Sequence, residues 1–188
     1  MNIGVLAFQG SVIEHIKHIE KLGHKAIEVK KVEDLNNIDA LILPGGESTT
    51  IGKLLIITGM LDALRSKILS GLPVWGTCAG MILLAKEIEG EENTYLGVMD
   101  IKVKRNAYGT QIDSFESNKV IEKISPNPIK MVFIRAPYVI KCNKETEIIS
   151  EVNNNIIAVR ERNMLATSFH PELTDDTTFL EYFIKDFA

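Results

Sequence analysis

Three short segments of this chain carry residue types that could do chemistry together. The first is Gly76-Thr77-Cys78-Ala79-Gly80, which follows an apolar run and precedes a helix-forming one. This is the arrangement of a nucleophile elbow, with cysteine in the place hydrolases give to serine. Glycines on either side relieve crowding in a sharp turn and let a substrate approach the main chain. Cys78 would sit where the free N–H groups and positive dipole end of a helix favour the thiolate, the reactive form. The N–H of Ala79 is placed to help hold an oxyanion. The alternative for such a cysteine, read in isolation, is an inert core residue in a tight turn.

A cysteine nucleophile needs a base, and the base needs an orienting partner. Of the four histidines, His15, His18 and His24 fall in or just after the first helix, where a solvated face explains them. His170 ends an apolar run and is followed by Pro171 and Glu172. Proline biases the preceding residue toward extended geometry, in which residues two apart project to one side. His170 and Glu172 can then face one site, the carboxylate fixing the tautomer and supporting the imidazolium. The third segment is Pro44-Gly45-Gly46-Glu47-Ser48, between another apolar run and a helix. Its glycines can present N–H groups to developing negative charge, and Ser48 can cap the helix. It lacks the Gly-Lys-Ser/Thr ending of a phosphate-binding loop.

To meet, these segments need a scaffold that brings distant loops to one edge. The first half supplies it by alternating strand and helix. Residues 3–8 form a continuous apolar run, as in a strand buried on both faces. Ser11 can cap a helix with Val12, Ile16 and Ile19 on one face, ended by Gly23. Strands follow at 26–29, 39–43 and 72–75, with helix over 49–69, interrupted near Gly59, and from 78 to about 86. Open parallel sheets place ligands beyond the carboxyl ends of their strands. From residue 98 the pattern turns to strands, at 98–104, 129–134, 148–152, 156–160 and 165–169. Loops rich in Asn, Ser and Pro separate them, Ser125 to Pro128 among them. A last helix carries Phe179, Leu180, Phe183 and Phe187. The expected fold is a single α/β domain over 1–188: three layers, a mostly parallel central sheet flanked by helices, flavodoxin-like, with extra strands in the second half.

Composition sets the outer bounds. At 188 residues the chain is long enough to bury a sizeable core. Its 21 basic and 25 acidic residues give a net charge of −4, against nucleic-acid binding, and Lys25 to Lys31 reads as a solvated strand edge. No apolar stretch has the length to span a bilayer, and the N-terminus reads as a strand and not a signal segment. Two cysteines, Cys78 and Cys142, show no metal-ligand spacing or disulfide framework, so the expected setting is cytoplasmic. Cys142 lies outside every motif.

The glycine-rich loop, the Gly-x-Cys-x-Gly elbow and the late His-Pro-Glu, in that order, resemble the class I, or triad, glutamine amidotransferases. Within that class the chain is most similar to the glutaminase subunits of pyridoxal 5′-phosphate synthase, the enzyme that makes vitamin B6. The resemblance rests on GVLAFQG (4–10), LPGGESTT (43–50), RNAYG (105–109), FIRAP (133–137) and ATSFHPE (166–172). It implies a glutaminase that releases ammonia from L-glutamine through a Cys78-His170-Glu172 triad, with no metal or organic cofactor. It implies that Gly46 and Ala79 form the oxyanion hole, and that Gly46, Glu47, Ser48, Arg105, Ile134 and Arg135 bind glutamine. It further implies a partner, a (β/α)8-barrel synthase subunit in a hetero-oligomer, which takes the ammonia and whose docking switches the glutaminase on. Competing readings are a γ-glutamyl peptidase with the same triad, a redox-sensing or chaperone protein with an exposed elbow cysteine, and a subunit whose triad is vestigial. Glutamine turnover, peptide competition and cysteine oxidation separate them.

Overall fold

The computed structural model describes residues 1–106 and 114–188. Five strands form the parallel half of a large sheet in the order β2 (Lys25–Val29), β1 (Asn2–Leu6), β3 (Ala40–Leu43), β4 (Val74–Thr77) and β12 (Met164–Thr167). The sheet continues in mixed sense through β11 (Asn155–Glu161), β9 (Tyr138–Cys142), β6 (Met99–Lys104) and β5 (Ala85–Ile88), while β10 (Glu147–Val152) pairs with β11. A separate antiparallel pair, β7 (Ser114–Ile121) and β8 (Ser125–Ile134), lies off this sheet. The expected mostly parallel sheet with extra strands late in the chain is the fold observed.

Alternation along the strands divides the interior into two cores. Leu41 and Leu43 of β3, Val74 of β4 and Ala166 of β12 point to one face, packed by α2 (Ser48–Ile57), α3 (Met60–Leu69) and α4 (Ala79–Leu84). Ile42, Trp75 and Leu165, their sequence neighbours, point to the other. There α5 (Thr178–Phe187) stacks Phe179 and Phe183 on Trp75, whose Nε1 donates to Thr167 Oγ1 at 3.0 Å. Each such phenylalanine contributes about 1.5–3 kcal/mol by burial. The β7–β8 pair covers the same face with Ile121, Ile129, Met131 and Phe133.

Several sequence expectations need correction. The helix after Cys78 ends at Leu84, not near residue 86, because Ala85 leaves it to pair with Met99 as a strand. The stretch from Ser125 to Pro128 is not a loop but the start of β8, where its prolines lie in a two-stranded ribbon with one side unpaired. The first-helix histidines are not on a solvated face. In α1 (Val12–Lys21), His15 and His18 are buried beside Ile19. His24 is half-buried.

Candidate active site

Three neighbouring parallel strands each end at the same edge of the sheet, and each delivers one chemical segment. β3 runs into Pro44-Gly45-Gly46, β4 into Cys78, and β12 into Ser168-Phe169-His170. Since Thr77 is level with Thr167, the chain leaves the sheet at Cys78 and at His170 only a few residues past a shared rung. The main-chain N–H of Cys78 donates to Thr167 O at 2.8 Å, and that of His170 to Val132 O of β8 at 2.8 Å. Cysteine and histidine are thus hung from the frame by their backbones before any side chain is considered.

Cys78 has φ 49° and ψ −103°, a left-handed backbone that non-glycine residues rarely adopt. Such strain costs on the order of 1–3 kcal/mol and persists only where the surroundings impose it. Here they do: a Cβ on Gly80 would stand 2.2 Å from Leu43 O, so the elbow packs main chain against main chain. The thiol is 7% exposed and lies 3.9 Å from Ile134 O.

His170 Nδ1 is 2.7 Å from Glu172 Oε1. The route to this pairing differs from the extended one the sequence suggested. Pro171–Leu173 form a single 3-10 turn, which folds Glu172 back beneath the ring. The same Oε1 accepts a hydrogen bond from Ser11 Oγ at 2.5 Å, so Ser11, expected to cap α1, instead secures the carboxylate. Burial opposes charge on both groups, yet it is outweighed. For His170, hydrogen bonds with Cys78 and Glu172 overcome desolvation and hold the imidazolium up to a pKa of about 10. For Glu172, the neighbouring histidines His15 and His170 and the Ser11 hydroxyl overcome desolvation and pull the carboxyl down to about 2. The pair is therefore an imidazolium and a carboxylate at neutral pH.

A cleft of about 270 Å³ opens over Cys78 and His170. Gly46, Glu47, Ser48, Ala79, Arg105, Ile134 and Arg135 also line it, so all the sequence-selected residues meet there except Glu172, which lies behind His170. Residues 107–109 of the RNAYG segment are outside the described residues. Arg105 donates to Glu47 Oε1 at 3.1 Å and to Glu91 Oε1 at 2.8 Å. Despite desolvation, those two carboxylates keep its guanidinium firmly charged. Glu47, not Ser48, caps α2, its Oε1 accepting from Thr49 Oγ1 at 3.0 Å and Thr49 N at 3.4 Å; those bonds, the hydroxyl's foremost, and Arg105 hold its carboxyl below the usual range against desolvation. Asn106 and Arg135, both lining the cleft, also have left-handed backbones, with φ 44° and 42°.

Sequence reasoning missed Gln9, Ser11, His15 and Thr77. Gln9 Oε1 accepts from Glu47 N at 2.8 Å and lines the cleft. His15 Nε2 lies 3.3 Å from Thr77 Oγ1 and 3.5 Å from Glu172 Oε2. A signal existed for His15: it stands three residues after Val12 and four before Ile19, on the helical stripe already read as inward-facing.

A cysteine elbow and a His-Glu pair facing one cleft at the carboxyl edge of a parallel sheet define a triad amidotransferase architecture. A crystal structure of a glutamine amidotransferase superposes with a TM-score of 0.92 at 44% identity, covering 97% of each chain. A glutamine amidotransferase from Thermotoga maritima shares the fold, with a TM-score of 0.64 at 13% identity over 99% of this chain and 83% of that one. Residues 5–188 match the SNO glutamine amidotransferase family, and the chain belongs to it. Among its relatives, the pyridoxal 5′-phosphate synthase subunit PdxT of Clostridium beijerinckii is 63% identical over 98% of this chain and 97% of its own. That of Carboxydothermus hydrogenoformans is 50% identical over 98% and 97%.

Proposed function

We propose that Cys78, His170 and Glu172 hydrolyse the side-chain amide of L-glutamine, and that this chain is the glutaminase subunit of a pyridoxal 5′-phosphate synthase. The observation that carries the chemistry is the charged His170–Glu172 pair, bonded at 2.7 Å, sharing a cleft with Cys78. The Cys78 thiolate attacks the amide carbon, and the carbonyl electrons move onto oxygen, where the N–H groups of Gly46 and Ala79 receive them. As the carbonyl reforms, the C–N bond breaks and the His170 imidazolium gives its proton to the departing nitrogen, releasing ammonia and leaving a thioester. His170, now neutral, takes a proton from water as that water attacks the thioester. Glutamate leaves as the carbon–sulfur bond breaks, which frees Cys78 and leaves His170 protonated for the next cycle. Glu172 keeps the ring oriented throughout. Glutamine's own carboxylate suits the guanidinium of Arg105 or Arg135.

Ammonia set free in neutral water is protonated and no longer nucleophilic, so a glutaminase serving a synthesis must work beside its acceptor. The names of the relatives support such a pairing with a synthase subunit in vitamin B6 synthesis. We assign that partner to a (β/α)8 barrel in a cytoplasmic hetero-oligomer. Docking as the switch is supported by Arg105, which is occupied by Glu47 and Glu91 in the free chain and would have to be released for glutamine. Among the described residues no helix is long and apolar enough to cross a membrane.

The test is glutamate release from glutamine by the chain with and without its cognate synthase subunit, with Cys78→Ala as control. Turnover should appear with the partner and fall to background in the variant. Full activity in Cys78→Ala would overturn the chemistry, and equal activity without the partner would overturn the switch.

A further inference from the structure

Glu172 has two carboxylate oxygens, and the triad uses one. Oε1 is fully engaged, taking Ser11 Oγ at 2.5 Å and His170 Nδ1 at 2.7 Å. Oε2 makes no hydrogen bond of ordinary geometry among the described residues, although the side chain is 0% exposed. A buried carboxylate oxygen without a donor is costly. His15 Nε2 lies 3.5 Å from it. His15 is itself 1% exposed, wedged edge-on against Trp75 and 3.3 Å from Thr77 Oγ1. Thr77 immediately precedes the nucleophile, so this imidazole touches both arms of the site from behind.

We propose that His15 is a positioning residue of the glutaminase reaction, its Nε2–H seating the second oxygen of Glu172 and so holding the carboxylate in the plane that orients His170. This rests on the triad reading above and extends it from Cys78-His170-Glu172 to a line of groups ending at His15 and Thr77. The tautomer follows from the partner: a carboxylate oxygen is acceptor-only, so the proton belongs on Nε2. Charge on His15 is disfavoured by burial first, with His170 and His18 adding to that and Glu172 and Glu14 opposing it; the net effect lowers its pKa. A neutral donor serves the reaction better than a cation here, because a second imidazolium would compete with His170 for the same carboxylate. By stabilising the charged form of Glu172, the Nε2–H also sets how far into acid the triad stays assembled.

Two substitutions separate this role from packing. His15→Phe keeps the ring volume and the edge contact with Trp75 but has no donor. His15→Gln brings an amide N–H close to the Nε2 position without a titratable ring. In the complex with the synthase subunit, His15→Phe should lose about tenfold in kcat with KM changed less than about twofold, since the lost interaction orients the base and not the substrate. The acid limb of its kcat profile should move up by about one pH unit, as Glu172 protonates more readily. His15→Gln should recover most of both. The acid limb of iodoacetamide trapping at Cys78 should move in the same direction in His15→Phe, and this readout requires no glutamine chemistry. Trapping that shifts as expected in a chain that never releases glutamate would support His15 and remove the glutaminase reading. Unchanged kcat and acid limbs in His15→Phe would overturn the proposal. So would equal losses in both variants accompanied by equal drops in melting temperature, which would mark His15 as a packing residue.

Discussion

At the scale of single residues, His170 is defined by its neighbours more than by its own chemistry. Burial should drive an imidazole to its neutral form, yet Cys78 on one side and Glu172 on the other hold it protonated to about pH 10. That is the state needed to hand a proton to a departing amine. Glu172→Gln removes the charge and offers an amide N–H to Nδ1, which forces the wrong tautomer. We expect kcat to fall by about 10- to 100-fold, the worth of a hydrogen bond to a charged group. The alkaline limb should also move down toward the ordinary imidazole range, because the stabilising carboxylate is gone. Steady-state kinetics of the complex across pH checks both. A variant with the wild-type alkaline limb would show that Glu172 does not set the state of His170.

At the scale of elements, the site depends on loops whose side chains are small because other groups need the space. Gly45 follows β3, and a Cβ there would stand 2.2 Å from His170 Cε1 and 2.8 Å from Nδ1. Its φ is not positive, so alanine is conformationally tolerated and the conflict is purely steric. Gly45→Ala should displace the ring and reduce kcat by about 10²-fold, the order expected for a misplacement near 1 Å. Overpacking of this kind costs about 1–3 kcal/mol, visible as a lower melting temperature. Full activity in Gly45→Ala would mean that the loop yields to the ring. The parallel strands that carry these loops were legible because both faces are buried, so Ala40–Leu43 reads as an unbroken apolar run. The elbow was legible because its glycines and cysteine are local. β7 was not, since Ser114–Ile121 is polar on a solvent-facing ribbon and becomes a strand only through long-range pairing with β8. Ser11 escaped for a related reason: a cap looks local in sequence, whereas its bond to Glu172 spans 161 residues.

At the scale of the whole molecule, the same charges that prepare the reaction make stability depend on pH, and the signs can be worked out. Glu172 is pulled from an ordinary 4.5 down to about 2, so the stability it adds is present above 4.5 and is lost as pH falls toward 2. His15 is held below its ordinary 6.5 by burial, so the unfolded chain takes up the proton first and stability begins to fall once pH drops below 6.5. His170 acts in the opposite sense. Raised from 6.5 to about 10, it contributes fully below 6.5 and progressively less as pH rises through that window. Together the three place the maximum near neutrality, with the first acid loss belonging to His15 and the alkaline loss to His170. Urea midpoints of the isolated chain should therefore peak near pH 6.5 and decline on both sides. The alkaline decline should be smaller in His170→Gln and the early acid decline smaller in His15→Phe, since each variant removes the group whose proton uptake differs between folded and unfolded states. Midpoints that stay level from 6.5 to 10 in the wild type would mean that the imidazolium is not held in the free chain, and that the partner, once docked, assembles the charged pair.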